Sequence, residues 1–292
     1  MKKKFKLFCF GFGQVAKYFT ESLIKNDFNF DLVTTNTTKT TTKKFKKKIY
    51  KSFFMKGNKF DKKLIKELVS SNKILISISP KGKKDIVLNN FAKFFKKNMF
   101  DWIVYLSATS VYGNKKGRWV NEKTKTNPTS QRGKDRLKVE NMWLKYFKNY
   151  NLPVQIFRLA GIYSIENNAI NRLKRGKLKI VKKKNHFFSR IHVEDIARIL
   201  SISLKKNNPG QIFNISDNHP CSNDEIAKYA AKLINFAKPK EIKIKDIKSE
   251  MLSEFYKDSK RVDNQKMKSF FRYKLKYPTY KEGLKAIKNQ SI

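Results

Sequence analysis

Residues 6–16, KLFCFGFGQVA, constrain this chain more than any other stretch. Residues 7–10 form a short apolar run of the kind that becomes a buried parallel strand. The run breaks at Gly11-Phe12-Gly13, and a helical pattern follows over residues 14–23. A strand, a tight glycine turn and a helix start in that order allow close backbone approach. They also aim the unpaired N–H groups and positive dipole end of the helix at a pyrophosphate. Ala16 stands at the third position of the dinucleotide fingerprint Gly-x-Gly-x-x-Gly/Ala. An ordinary strand-to-helix turn uses the same glycines. The position straight after a first strand favours the dinucleotide reading, with Gly11, Gly13, Gln14, Val15 and Ala16 in contact with the cofactor.

Beyond this turn, strands are expected at residues 30–35, 49–54, 73–79 and 102–107, with helices at 61–70 and 85–97. Alternation at this spacing implies βαβ units and an α/β fold of the Rossmann type, a doubly wound parallel sheet. Ligands of such sheets bind at the carboxyl ends of the strands, which should gather Gly11, Thr35, Ser79 and Ser107. A carboxylate closing the second strand would hold the ribose 2′-hydroxyl of NAD, and none is present here. Thr34, Thr35, Asn36 and Lys39 suit a 2′-phosphate instead, so NADP is expected ahead of NAD. For Lys39 a plain surface loop is an equal alternative.

Composition narrows the partners. With 292 residues, 40% of them hydrophobic, the chain can bury a sizeable core and is not disordered. A net charge of +44 ordinarily points to nucleic acid. The lysines, however, are spread through nearly every segment and form no basic stripe, so specific nucleic-acid binding is not expected. Cys9 and Cys221 lie far apart, which fits a reduced, cytoplasmic protein without a disulfide framework. His186, His192 and His219 are not spaced as metal ligands, so no metal is expected. The apolar run after Met-Lys-Lys-Lys is too short for a signal peptide, and no stretch is long enough to span a membrane.

The most specific stretch is 107–140, SATSVYGNKKGRWVNEKTKTNPTSQRGKDRLKVE. Val111-Tyr112-Gly113, Glu122, Pro128-Thr129-Ser130 and Glu140 occur there in the order seen in the extended short-chain dehydrogenase/reductases, the nucleotide-sugar epimerase and dehydratase family, which the chain resembles. Residues 158–163, RLAGIY, resemble the loop that meets the nicotinamide end of the cofactor, placing Ala160 beside it. Residues 187–200, FFSRIHVEDIARIL, resemble a further landmark in which Arg190 is the residue expected to reach substrate, while His192 and Asp195 serve the framework. The resemblance covers essentially the whole chain. It implies a dinucleotide-binding domain over 1–163, with elements near 187–216 returning to it, and a smaller, interleaved C-terminal substrate domain mainly over 164–292.

On this frame the catalytic tyrosine and lysine of the family fall on Arg132 and Arg136, and the catalytic serine or threonine on Ala108. An arginine does not give up its proton in a protein, so the usual proton relay is absent. The chain is most similar to an atypical subgroup, NAD(P)-dependent oxidoreductases or epimerase-like proteins, that shares this Ser-x-Arg-Gly-x-x-Arg edit and a Tyr-Pro-Thr-Tyr tail. Arg132 and Arg136, four apart on a helix, are expected to clamp an anion. Ser107, Thr109, Tyr112 and Tyr163 are then the nearest proton donors. The resemblance implies an NAD(P)-dependent oxidoreductase or epimerase-like enzyme on a small, anionic or sugar-type substrate. The alternative is a catalytically silent NAD(P)-binding sensor or partner protein.

Overall fold

The apolar run at the head of the sequence forms strand β1 (Phe5–Phe10), whose last four residues are buried. It is seen in a computed structural model that describes residues 3–80, 82, 84–97, 100–181, 183, 185–237, 239–247 and 256–290. After β1 come α1 (Gln14–Lys25), β2 (Phe30–Asn36), β3 (Thr41–Phe45), β4 (Lys48–Lys56), β5 (Lys59–Phe60), α2 (Leu64–Val69), β6 (Lys73–Ile76), α3 (Ile86–Phe95) and β7 (Trp102–Ala108). A 3-10 turn at Thr109–Tyr112 leads to β8 (Trp119–Val120), α4 (Gln131–Tyr150), β9 (Val154–Leu159), β10 (Gly161–Tyr163), α5 (Ala169–Lys174), β11 (Ile180–Val181), β12 (Arg190–His192) and α6 (Val193–Ser203). Then follow β13 (Ile212–Ile215), α7 (Asn223–Leu233), β14 (Glu241–Ile242), a 3-10 turn at Ile244–Asp246, β15 (Arg261–Val262), α8 (Gln265–Phe271) and α9 (Tyr280–Gln290).

These elements form two units, each assembled from separate pieces of chain. The first comprises residues 1–107, 135–158 and 196–213, the second 108–134, 159–195 and 214–292. Residues 153–163 hold two strands: β9 joins the large sheet, whereas β10, in the stretch read as a loop, pairs with β12.

In the first unit the sheet order is β13-β9-β7-β6-β1-β2-β4-β3, with β5 paired to β4. Strand β1 is parallel to both β2 and β6, and β2 to β4 and β6 to β7 likewise. Succession runs outward in opposite directions from β1, so the switch point of the sheet lies between β1 and β6. Helix α1 buries Val15, Ala16, Phe19, Thr20 and Leu23, the i, i+1, i+4, i+5, i+8 stripe of an amphipathic helix. Helix α3 starts where Asp85 accepts the N–H of Leu88 at 2.7 Å. Phe8, Phe10, Phe91, Phe95, Tyr105 and Trp143 lie at the heart of this core. Full burial of each aromatic contributes roughly 1.5–3 kcal/mol.

Residues 36–48 read as a polar loop, yet residues 41–45 within them form β3, antiparallel to β4 at the sheet edge. Its central residues are all exposed. With no buried face there is no apolar alternation to detect, and edge lysines discourage pairing with another chain.

The second unit contains the strand pairs β10–β12, β11–β14 and β15–β8, all parallel. Its core gathers residues of α5, α7 and α9, among them Ile170, Leu173, Ile226, Ala230, Leu284 and Ile287. Ser222 caps α7 by accepting the N–H of Glu225 at 3.2 Å. No helix among the described residues is long and apolar enough to cross a membrane.

Candidate functional site

At the switch point, Gly11 has φ +82°, a backbone conformation that side-chain-bearing residues rarely adopt. A Cβ placed there would sit 2.6 Å from Ile78 Cγ2 and 3.1 Å from Ser77 Oγ. Neighbouring strands hold the turn. The Gly11 N–H donates to Thr35 Oγ1 at 2.8 Å, and Ser77 Oγ donates to the carbonyls of Phe10 and Gly11 at 3.0 and 3.1 Å. Gly13 is different: it is extended, with φ −79°, and a Cβ on it would meet nothing within 4 Å. Gly13 is the N-cap of α1, with no side-chain cap and no acidic residue in the first turn. Open space in front of an uncapped helix start fits the approach of a pyrophosphate. Val15 and Ala16 are buried, so they serve this turn by packing α1 against the sheet and exposing its backbone end.

Two residues expected to touch the cofactor have local duties. Thr35 is buried and accepts from Gly11, so it anchors the glycine turn. The Asn36 amide donates to Lys39 O, Ser52 O and Ser52 Oγ, and its carbonyl accepts from Thr38 N, Thr38 Oγ1 and Lys39 N. Asn36 thus shapes the turn after β2, leaving Lys39 exposed beyond it.

Ser79 and Arg136 meet in the first unit. Arg136 donates from Nη2 to Ser79 Oγ at 2.9 Å and from Nη1 to the Leu106 carbonyl at 3.2 Å. Each terminal nitrogen thus has one protein acceptor, so this arginine ties the end of β7 to the loop after β6 and keeps three of its five N–H donors beyond these two bonds. Arg132, by contrast, is exposed. Arg136→Ala should lower stability by about 1 kcal/mol through the lost hydrogen bonds. Arg132→Ala should stay within about 0.5 kcal/mol of the parent. Urea denaturation of both variants checks the contrast.

The hydroxyls expected as proton donors are also engaged. Ser107 is buried, and its hydroxyl donates to Glu140 Oε1. Glu140 in turn receives Arg158, with Nη2 at 2.7 Å from Oε2 and Nε at 3.1 Å from the same oxygen. In the second unit, Tyr112 is fully buried and donates to Asn214 Oδ1 at 2.8 Å. The Tyr163 ring packs against Gly283, where a Cβ would come within 2.2 Å of the phenol oxygen, and its hydroxyl reaches Thr279 O at 3.5 Å. Burial raises the Tyr163 pKa well above the usual phenol value. Thr109 opens the 3-10 turn, half-buried. Ala160 is buried, its N–H donating to Ile215 O at 3.0 Å. Arg190 directs Nη1 at Phe188 O and Cys221 O, at 3.2 and 3.4 Å, with Cys221 Sγ at 3.3 Å.

Sequence reasoning missed the depth of several polar residues. Lys260 is 9% exposed and donates to Gly113 O at 2.9 Å and Asp258 Oδ2 at 3.2 Å. Burial lowers its pKa. The Glu122 carboxylate accepts the N–H of Asn214 at 2.7 Å, and burial raises its pKa. Nothing local distinguishes a buried lysine from the many solvated ones in this chain.

His192 and Asp195 do support the framework. Asp195 accepts from the Tyr273 hydroxyl at 2.6 Å and from the N–H groups of Lys276 and Tyr277 at 2.7 and 3.1 Å. His192 packs between Tyr163 and Tyr277, and burial pushes its pKa down from 6.5 to about 4, with Lys276 opposing and Glu194 and Glu166 favouring its charged form. From pH 6.5 down to about 4 the unfolded chain takes up a proton that the folded chain refuses. Stability should therefore fall as pH drops through that window. His192→Gln should flatten the dependence, as read by thermal melts from pH 7 to pH 4.

Residues 86–216 match the NAD dependent epimerase/dehydratase family. A dTDP-D-glucose 4,6-dehydratase of Dictyostelium discoideum is 26% identical over 222 residues, 63% of this chain and 50% of that protein. The chain spans half or less of the length of the curated relatives it matches. Among solved structures, a conserved protein of unknown function from Silicibacter pomeroyi superposes with a TM-score of 0.85 at 29% identity, covering 98% of this chain and 99% of the other. A dTDP-glucose 4,6-dehydratase from Bacillus anthracis, solved with NAD, has a TM-score of 0.78 at 17% identity, covering 97% and 95%. Residues 86–216 thus carry the match to the NAD dependent epimerase/dehydratase family, and the fold is shared along nearly the whole chain with the Silicibacter pomeroyi protein.

Proposed function

We propose that this chain binds a nicotinamide dinucleotide at the Gly11–Gly13 turn and acts as an NAD(P)-dependent oxidoreductase or epimerase-like enzyme on a small, anionic or sugar-type substrate. The observation that carries the reading is the pairing of a Gly11 locked at φ +82° with open space in front of Gly13 and an uncapped α1. Backbone N–H groups at the start of α1 would hold the pyrophosphate, and the exposed Lys39 favours NADP over NAD. When bound, the nicotinamide supplies a hydride acceptor and donor. The chain's own part is to position that ring and to move a proton without a Tyr-Lys pair. Arg132 and Arg136 stand in that pair's places and contribute fixed positive charge but no transferable proton.

One observation favours the second reading, a catalytically silent dinucleotide-binding sensor or partner. Ser107, Tyr112 and Tyr163 all direct their hydroxyls at protein acceptors. Calorimetric titration with NAD and NADP tests the binding, for which micromolar affinity and a preference for NADP are expected. No heat at millimolar dinucleotide would overturn it. Mixing the loaded protein with a panel of nucleotide sugars separates the two readings. Reduced-nicotinamide absorbance or product marks the enzyme, and none across the panel marks the sensor.

A further inference from the structure

The segment leading into α7, residues 219–225, reads HPCSNDE and gathers three metal-binding side chains. His219 Nε2 lies 3.1 Å from Glu225 Oε1, and one ligand atom from each of His219, Cys221 and Glu225 falls within 4.8 Å of the others. The backbone around them is held on both sides. Asp217 Oδ1 accepts the His219 N–H at 3.1 Å, Cys221 exchanges backbone hydrogen bonds with Phe188 at 3.0 and 3.1 Å, and Ser222 caps the helix at Glu225 N. The Tyr280 hydroxyl donates to Glu225 Oε1 at 2.9 Å, the kind of outer partner that orients a ligating carboxylate. The His219 and Glu225 side chains are 42% and 45% exposed, while Cys221 is buried.

We propose that His219, Cys221 and Glu225 form a three-ligand site for a borderline-soft divalent ion of the zinc class, with the fourth tetrahedral position left to water or a small ligand. A thiolate, an imidazole and a carboxylate are a zinc-type donor set, whereas magnesium and calcium take oxygen ligands. On binding, the Cys221 S–H bond breaks, a sulfur–metal bond forms and the proton leaves to solvent. Arg190 is the local opposing charge, with Nη1 at 3.3 Å from the sulfur. It is held there by the Phe188 and Cys221 carbonyls, a position from which its N–H also supports a thiolate. The buried Asp217 carboxyl, whose Oδ2 has no hydrogen-bond partner among the described residues, lies within electrostatic reach of both Arg190 and Cys221. Reading only the three histidines hides this His-x-Cys-x-x-x-Glu pattern. The site belongs wholly to the second unit and is independent of the dinucleotide reading.

Anaerobic titration of the full chain with cobalt(II) tests it. A thiolate-to-cobalt charge-transfer band should grow to one ion per chain and be displaced by zinc(II). Cys221→Ser should abolish the band, and His219→Ala and Glu225→Gln should each weaken binding at least tenfold. His219 and Glu225 are partly exposed, so their variants carry the test even if Cys221→Ser does not fold. No band at millimolar cobalt, a band that survives in Cys221→Ser, or unchanged affinity in both surface variants would overturn the proposal.

Discussion

A Gly13→Val variant is expected to fold as the parent does and to lose dinucleotide binding by at least about a hundredfold, roughly 2.8 kcal/mol. Gly13 is in an extended conformation open to any residue, and its missing Cβ would touch nothing within 4 Å. The folded state therefore has no clash to resist and loses only the N-cap preference of glycine over valine, about 1 kcal/mol. The same branched side chain would fill the space in front of α1 that a pyrophosphate needs. Gly11→Ala gives the opposite balance. At φ +82° a Cβ costs roughly 1–2 kcal/mol of conformational strain and in addition presses on Ile78 Cγ2 at 2.6 Å. Calorimetric titration with parallel thermal melts reads both quantities. A Gly13→Val protein that binds dinucleotide as tightly as the parent would show that the turn is not the binding element.

The largest loss of stability should come from Glu140→Ala. Glu140 and Arg158 are buried together, 0% and 3% exposed, and Ser107 donates to the same carboxylate. Removing the carboxylate leaves a permanently charged guanidinium without its partner, which costs about 3–5 kcal/mol. That is a large part of the whole stability of a domain. Replacing both by leucine removes the stranded charge and should recover part of the loss. Chemical denaturation of the parent and both variants measures this, and a loss below about 1 kcal/mol in Glu140→Ala would mean that Arg158 finds another acceptor.

Much of the local structure was legible from local signals. An apolar run before two glycines becomes β1 and the start of α1, because a strand buried on both faces needs continuous apolar residues and a sharp exit needs glycine. Helix α7 begins where Ser222 stands, because a hydroxyl there meets an orphan N–H three residues on. Asp85 starts α3 for the same reason. Strand β3 escaped notice because an exposed edge strand imposes no pattern on its side chains.

The chemistry of the site depended on long-range partners. The sequence by itself determined that residues 132 and 136, the positions where the resemblance expects a Tyr-Lys pair, are arginines, side chains that hold a permanent charge and offer no transferable proton. Only the tertiary structure decided that Arg136 binds Leu106 O and Ser79, that Tyr112 donates to Asn214, and that Ser107 belongs to the Glu140–Arg158 cluster. It likewise buried Lys260 under Gly113 and brought His219 against Glu225. A hydroxyl or a charge has no fixed role until its acceptor arrives. In Tyr112 and Lys260 that acceptor lies more than a hundred residues away, where no periodicity or spacing can indicate it.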